Sequence, residues 1–296
     1  LEALADDTQG GVLAVISGVE GPSYRPVGAM MAVLSDGRIV GSLSSGCIEA
    51  DIALQAAEAS RAGQPRQLRY GAGSPFVDIV LPCGGGLDIL LIPAPEKAVL
   101  HKAVAAHAAR QTLTIWIDGA AGTVSIDPAP PGAHALAVPI DPELRFLVFG
   151  KGPEASAFSA LVQSVGYPNL LVTPDEETKA RAAAHGCETR MIGRPRFPED
   201  LRVDTRTAIV LFFHDHDWEP PILDGALATG AFYIGAQGSW RARETRLAAL
   251  RALGHSDEAL SQLFGPVGVI PSVRDSRTLA VSVLAEILSI ALEKSR

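Results

Sequence analysis

The chain has 296 residues, a formal net charge of −8 and 47% hydrophobic residues, with a pI near 5.4 and a mean hydropathy of +0.21. An acidic balance excludes nucleic acid and anionic membrane as main partners and leaves only local basic clusters for small anions. The length allows two ordinary domains. Three cysteines, Cys47, Cys83 and Cys187, show neither metal-ligand nor disulfide spacing, which suits a reducing cytoplasm. The first residues carry no leader pattern. The longest apolar run, TLAVSVLAEILSIAL, is interrupted by Glu286 and patterned as an amphipathic helix rather than a span.

In chain order, VLAVISGVEG reads as a strand running into the loop EGPSYRPVG, and AMMAVLSDGRIVGSL as a hairpin with a two-residue turn at Asp36-Gly37. A helix is predicted across CIEADIALQAAEASRA with Gly63 just past its end. Cys47 then falls in the first turn, capped by Ser44 or Ser45, where helix amides favour a thiolate. PFVDIVLPCGGGLDILLIPA predicts two strands broken at residues 82–86, followed by a helix near EKAVLHKAVAAHAARQ and the strand LTIWID. Cys83 sits in a Pro-Cys-Gly-Gly-Gly turn as free of bulk as the loop around Cys47. Glycine beside both sulfurs speaks against plain burial, so the two loops are candidates to form one pocket.

Residues 127–142 carry four prolines before their last aspartate and read as a linker between domains at 1–126 and 143–296. Beyond it, RFLVFGKGPEASAFSALVQSVGYPNLLVT alternates strand, glycine turn, helix and strand. RTAIVLFF and AFYIGAQG repeat the pattern, so a parallel sheet covered on both faces is expected. Gly150-Lys151-Gly152-Pro153-Glu154-Ala155 fits the dinucleotide fingerprint of a Rossmann-type domain, although Asp175 arrives late for its ribose-reading acid. The fold class is therefore α/β, a mixed N-terminal domain followed by a Rossmann-like C-terminal one.

Gly238 and Ser239 open a second strand-to-helix turn, with Arg241, Arg243 and Arg246 beyond it for a phosphate; at most two of these arginines share a useful face. His214, Asp215, His216 and Asp217 stand at a strand's carboxyl end, placed to bind a metal or handle a proton, but no third histidine follows at a metal spacing. Cys187 reads as the entry to a strand, without a function.

Three groups of residues resemble the xanthine dehydrogenase accessory protein family, XdhC/CoxI. The first is Gly21-Pro22-Ser23-Tyr24-Arg25 with Gly28 and Met31. The second is Gly41 to Glu49 together with Leu81-Pro82-Cys83-Gly84-Gly85. The third spans the later half: the 150–155 turn, His214, Asp217, Tyr233-Ile234-Gly235, Gly238-Ser239, Pro266-Val267-Gly268 and Ser282 to Glu286.

The resemblance implies a cytoplasmic, commonly dimeric chaperone. It would hold molybdenum cofactor while a cysteine desulfurase supplies the terminal sulfur, then deliver it to a molybdenum hydroxylase. Carried over by position, Cys47 and Cys83 are the candidates to meet molybdenum or its sulfur, Arg25 is a candidate for the cofactor's anionic end, and Ser44, Gly46 and Gly84 are further cofactor-binding residues. Gly150, Gly152, Gly238, Ser239 and Arg241 line the Rossmann-side pocket, and no catalytic residue is assigned. The chain departs from the family pattern at Pro22 (usually serine), Ser45 (usually glycine), Pro153 (usually histidine) and GVIPSVRDSRT. Two other readings stand beside the chaperone: an NAD(P)-dependent oxidoreductase using Asp175, and a persulfide carrier using Cys47.

Overall fold

In a computed structural model, residues 1–74, 81, 84–126, 135–214 and 217–294 are described. They divide into two units, Leu1–Pro142 and Glu143–Arg296.

The first unit is built on a five-stranded antiparallel sheet of order β3-β2-β1-β5-β4. Its strands are β1 (Val12–Glu20), β2 (Met30–Val33), β3 (Ile39–Gly41), β4 (Arg66–Gly71) and β5 (Gly86–Pro93). Alternate residues of β1 serve opposite faces, which is why the strand reads as an unbroken apolar run. Val12, Ala14 and Ile16 join Ile52, Ala56 and Ala59 of helix α2 (Glu49–Ala62). Leu13 and Val15 join a second layer made by α1 (Glu2–Asp6), α3 (Lys97–Ala108) and a three-stranded sheet. That small sheet has the order β7-β6-β8, from β6 (Leu113–Asp118), β7 (Thr123–Ile126) and β8 (Leu136–Ile140).

The end of the expected linker is thus strand: β8 pairs along β6 and places Val138 in the core. Residues 127–134 lie outside the described residues, as does the strand expected at 75–80. The predicted hairpin forms, but its turn is longer than two residues. Leu34 N–H donates to Arg38 O at 2.8 Å, enclosing Ser35 to Gly37, with Gly37 at φ +85° supplying the left-handed position.

The second unit carries six parallel strands in the order β11-β10-β9-β12-β13-β14. They are β9 (Arg145–Gly150), β10 (Asn169–Thr173), β11 (Glu188–Met191), β12 (Thr207–Phe212), β13 (Tyr233–Ala236) and β14 (Leu263–Phe264). Phe146 and Val148 face α4 (Pro153–Ser164) and α9 (Ser276–Lys294) on one side. Leu147 and Phe149 face α6 (Glu219–Leu227) and α7 (Trp240–Ala252) on the other. The remaining helices are α5 (Glu176–Ala184) and α8 (Asp257–Ser261). Burial on both faces selects the Phe, Val, Ile and Leu content of these strands. Strand order reverses between β9 and β12, and in such sheets a crevice opens beyond the carboxyl ends at that point. Among the described residues no helix is long and apolar enough to cross a membrane.

Candidate functional site

In the first unit the register carries three loops to one end of the sheet. Glu20 pairs with Gly86, Gly71 with Gly86, and Gly41 with Met31. The loops after β1, β3 and β4 therefore leave from the same edge, bringing the segments of Arg25, Cys47 and Gly84 to one end of the unit. Leu43 and Ile48, on either side of the Cys47 turn, share an apolar cluster with Leu81. Cys83 itself lies outside the described residues.

Glu49 organises the Cys47 loop. Its carboxylate accepts from the backbone N–H of Leu43, Ser44, Gly46 and Ile48 at 2.8 to 3.2 Å. It also accepts from Ser42 Oγ at 2.7 Å and Ser44 Oγ at 2.8 Å. Burial alone would push this carboxyl up; the donors from Ser42, Ser44 and the loop amides outweigh it and lower the pKa to about 2.

Sequence reasoning missed Glu49, although an acid closing a run of small polar residues was a readable signal. The structure also corrects the placement of Cys47. The helix begins at Glu49 with Ile48 as its N-cap, so Cys47 precedes the helix, and its sulfur is exposed. Neither Ser44 nor Ser45 is the cap; buried Ser44 instead accepts from Ile48 N–H at 3.2 Å. Glu49 takes up the amides of Gly46 and Ile48 on either side of Cys47.

Glycine has two separate duties here. A Cβ on Gly85 would lie 2.2 Å from Pro22 O, so that glycine serves the close approach of two backbones rather than access for a ligand. Gly46 (φ +103°) and Gly84 (φ +73°) face open space. Ser45, where the family pattern has glycine, holds φ +61°. Arg25 is exposed, and among the described residues its side chain makes no ion pair.

In the second unit the fingerprint glycines behave as expected in conformation but not in bonding. A Cβ on Gly150 would lie 2.4 Å from Phe212 O, and Gly152 at φ +91° is the N-cap of α4 with Pro153 behind it. The amide of Gly152, which would meet a pyrophosphate, donates to Thr178 Oγ1 at 2.8 Å. Thr178 in turn donates through Oγ1 (2.5 Å) and N–H (2.7 Å) to Asp175, whose carboxyl these bonds hold below the usual range. Asp175 is the N-cap of α5, not a free ribose reader.

A cavity of about 810 Å³ opens at the carboxyl edge, lined among others by Glu154, His214, Gln237, Gly238, Ser239 and Trp240. Gly150, Gly152 and Arg241 are not in its lining. Arg246 is buried against Glu219, with Nε and Nη2 at 3.0 and 3.1 Å from its oxygens, and Nη2 also donates to Gln237 O at 2.6 Å. This arginine braces the loop and is not free for a phosphate. Arg243 lies 5.9 Å from the Trp240 ring centroid.

On α9, Glu286 accepts from Tyr233 OH at 2.6 Å and Gly268 N–H at 2.7 Å, and Ser282 Oγ accepts from Ile270 N–H at 2.7 Å. These bonds fix the cavity's far wall and account for the Ser282–Glu286 motif. His214 Nε2 stands 3.2 Å from Gln237 Nε2 and 3.7 Å from Glu154 Oε2. Asp215 and His216 lie outside the described residues, and among the described residues no group of three His, Cys, Asp or Glu is arranged to hold a metal.

Residues 146–287 match the XdhC Rossmann domain family and residues 4–71 the XdhC and CoxI family. The chain is 34% identical over 290 residues to the molybdenum cofactor insertion chaperone PaoD of Escherichia coli, covering 97% of this chain and 85% of that protein. It belongs to the XdhC/CoxI family. A second relative, a probable xanthine dehydrogenase subunit from Bacillus subtilis, is 22% identical over 97% of this chain and 95% of its own length. The fold also matches a crystal structure of a xanthine dehydrogenase from Bacillus halodurans at a TM-score of 0.78 and 22% identity, covering 99% of this chain and 94% of that one.

Four outcomes follow from the bracing of these loops. Glu49→Gln lowers stability by about 2–3 kcal/mol in chemical denaturation, because donors gathered for an anion lose half their acceptors. The fold favours ionised Glu49, so its contribution is complete above the ordinary value of 4.5 and drains away as pH falls toward 2. That acid limb should flatten in the variant, and an unchanged limb would assign it to other groups. Ser45→Gly, by relieving a left-handed serine, should raise the unfolding midpoint by the equivalent of up to about 1 kcal/mol. Arg246→Met alone should cost about 3–5 kcal/mol, with much of that recovered in the double variant with Glu219→Met, since the single change strands a buried charge.

Proposed function

We propose that this chain is a molybdenum cofactor chaperone: it binds the cofactor as cargo, shelters it while a cysteine desulfurase provides the terminal sulfur, and hands it to a xanthine dehydrogenase-type hydroxylase. In this reading the protein works in the cytoplasm as a homodimer and has no turnover of its own. The redox chemistry belongs to the cargo and its client.

The observation that carries the reading is an exposed thiol on an immobilised loop, in a chain 34% identical along nearly its whole length to a molybdenum cofactor insertion chaperone. A soft sulfur donor suits molybdenum or its sulfido group. Holding the loop through Glu49 presents that donor without an ordering cost at the moment of binding. Cys83 is proposed as the second sulfur, and Arg25 as a cation for the cofactor's anionic end.

An exposed Cys47 also suits a persulfide carrier. That role predicts a mass gain of one sulfur on Cys47 after incubation with a cysteine desulfurase and cysteine. The oxidoreductase reading loses ground, because Gly152 N–H and Asp175 are both engaged within the protein.

The test is to purify the full chain from a cofactor-sufficient host and measure molybdenum and oxidised pterin per chain. Near-stoichiometric amounts of both are expected. Cys47→Ser should lower retention roughly tenfold or more, the scale of losing a metal contact. Cys187→Ala, at a buried site, should not alter it. Absence of pterin and molybdenum from the unaltered chain would overturn the chaperone reading, and full retention in Cys47→Ser would remove sulfur contact from it.

A further inference from the structure

We propose that the cavity at the carboxyl edge of the parallel sheet recognises the 2-amino-4-oxopyrimidine edge of a planar heterocycle, the edge that pterin and guanine share, through Glu154 and Gln237. As regards pterin, the proposal rests on the cofactor-binding reading above and adds to it the part of the cargo this unit reads.

The argument starts from two oxygens. Gln237 is 8% exposed, and its Oε1 has no hydrogen-bond partner; Glu154 Oε2 is buried and likewise has none. A buried acceptor left alone is costly, and folded proteins keep few of them. Both residues line the 810 Å³ cavity, which is of the size that takes a small ligand. Two acceptors without donors ask for a partner rich in N–H groups. A carboxylate is best met by two parallel N–H bonds, the pattern that a ring N–H and its neighbouring amino group present.

The rest of the lining agrees with a flat ring carrying an anionic tail. Trp240 is 71% exposed at the cavity and offers an aromatic face for stacking. Gly238 and Ser239 begin the 13-residue helix α7, an amino-terminal end that favours an anionic group. Glu154 stands in the first turn of α4, in the Rossmann turn where a dinucleotide would place its pyrophosphate. Its negative charge disfavours that group and favours a hydrogen-bond donor. His214 is the movable member. Its Nε2 lies 3.2 Å from Gln237 Nε2 and 3.7 Å from Glu154 Oε2 while its side chain is 69% exposed, so the ring has room to turn outward and make way for a ligand.

The test titrates the full chain with pterin and with lumazine, which carries oxygen in place of the 2-amino group, following ligand and tryptophan fluorescence. GMP and XMP form a second pair with the same exchange. At least one amino-bearing ligand should bind about tenfold or more tightly than its oxo counterpart, and that preference should collapse in Glu154→Gln and in Gln237→Leu, with unfolding midpoints showing both variants folded. Equal affinity within both pairs, no binding of any of the four, or a preference that survives both substitutions would overturn the assignment. If the unaltered chain co-purifies with molybdenum and pterin yet shows no amino preference, cofactor binding stands and this site falls. If it holds no cofactor but prefers GMP to XMP, the edge recognition stands with guanine as its source.

Discussion

A carboxylate withdrawn from water must be met by donors from the protein itself, and the loops of this chain are shaped by that requirement. Glu49 gathers four loop amides and two serine hydroxyls, and so decides where Cys47 stands. Glu219 neutralises Arg246, whose guanidinium then holds the carbonyl of Gln237 and with it one wall of the cavity. Glu286 ties the opposite wall to α9 through Gly268 and to the sheet through Tyr233, where burial and the neighbouring carboxylate push the phenol well above its ordinary range. Against these three, Glu154 stands out by contrast: one of its oxygens is buried without a hydrogen-bond donor, His214 Nε2 standing 3.7 Å away.

The Rossmann turn illustrates how one backbone geometry supports different chemistry. Gly150 and Gly152 are required by a carbonyl at close range and by a left-handed angle, and both requirements come from the fold. What a dinucleotide would add, a free amide and a free acid, is absent at Gly152 and Asp175 because Thr178 joins the two. An α5 that begins with its own cap is better ordered, and it gives up the ribose contact in return. The acceptors left without donors in this unit lie instead on Glu154, in the first turn of α4, and on Gln237, just after β13.

Much of the architecture is legible in the residues. Strands buried on both faces announce themselves as unbroken Val, Ile, Leu and Phe runs, and the glycine turn after β9 marks the start of the parallel sheet. Strand β4, RQLRYG, escapes notice because only Leu68 and Tyr70 face the core while Arg69 turns outward to Asp88 and Glu20. Strand β8 hides within a proline-rich stretch that reads as a linker; Pro139 tolerates its place because it pairs on the outer side of a three-stranded sheet. At the sites, Cys47, Gly238 and Ser239 are visible as unusual residues, and Glu49 as the acid that closes a run of small polar ones, whereas Gln237 and Glu154 are ordinary polar residues in sequence. Their importance comes from which atoms are satisfied after folding, which no spacing encodes.

The same reasoning changes what the glycines mean. Clusters such as Cys83-Gly84-Gly85-Gly86 suggest backbone cleared for a visitor, but Gly85 is cleared for Pro22 and Gly86 for Arg69 and the carbonyl of Ala72. In the Cys47 and Cys83 loops it is Gly46 and Gly84 that have open space where a side chain would be. Small residues thus bring the three loops of the antiparallel sheet close to one another, with the open space left at the tips of two of them. In the first unit the exposed reactive group is Cys47, and in the second Glu154 and Gln237 line the cavity with acceptor oxygens that are themselves buried. A soft donor thus marks the first unit and a hydrogen-bond-accepting cleft the second, each set by its own network of satisfied and unsatisfied polar atoms.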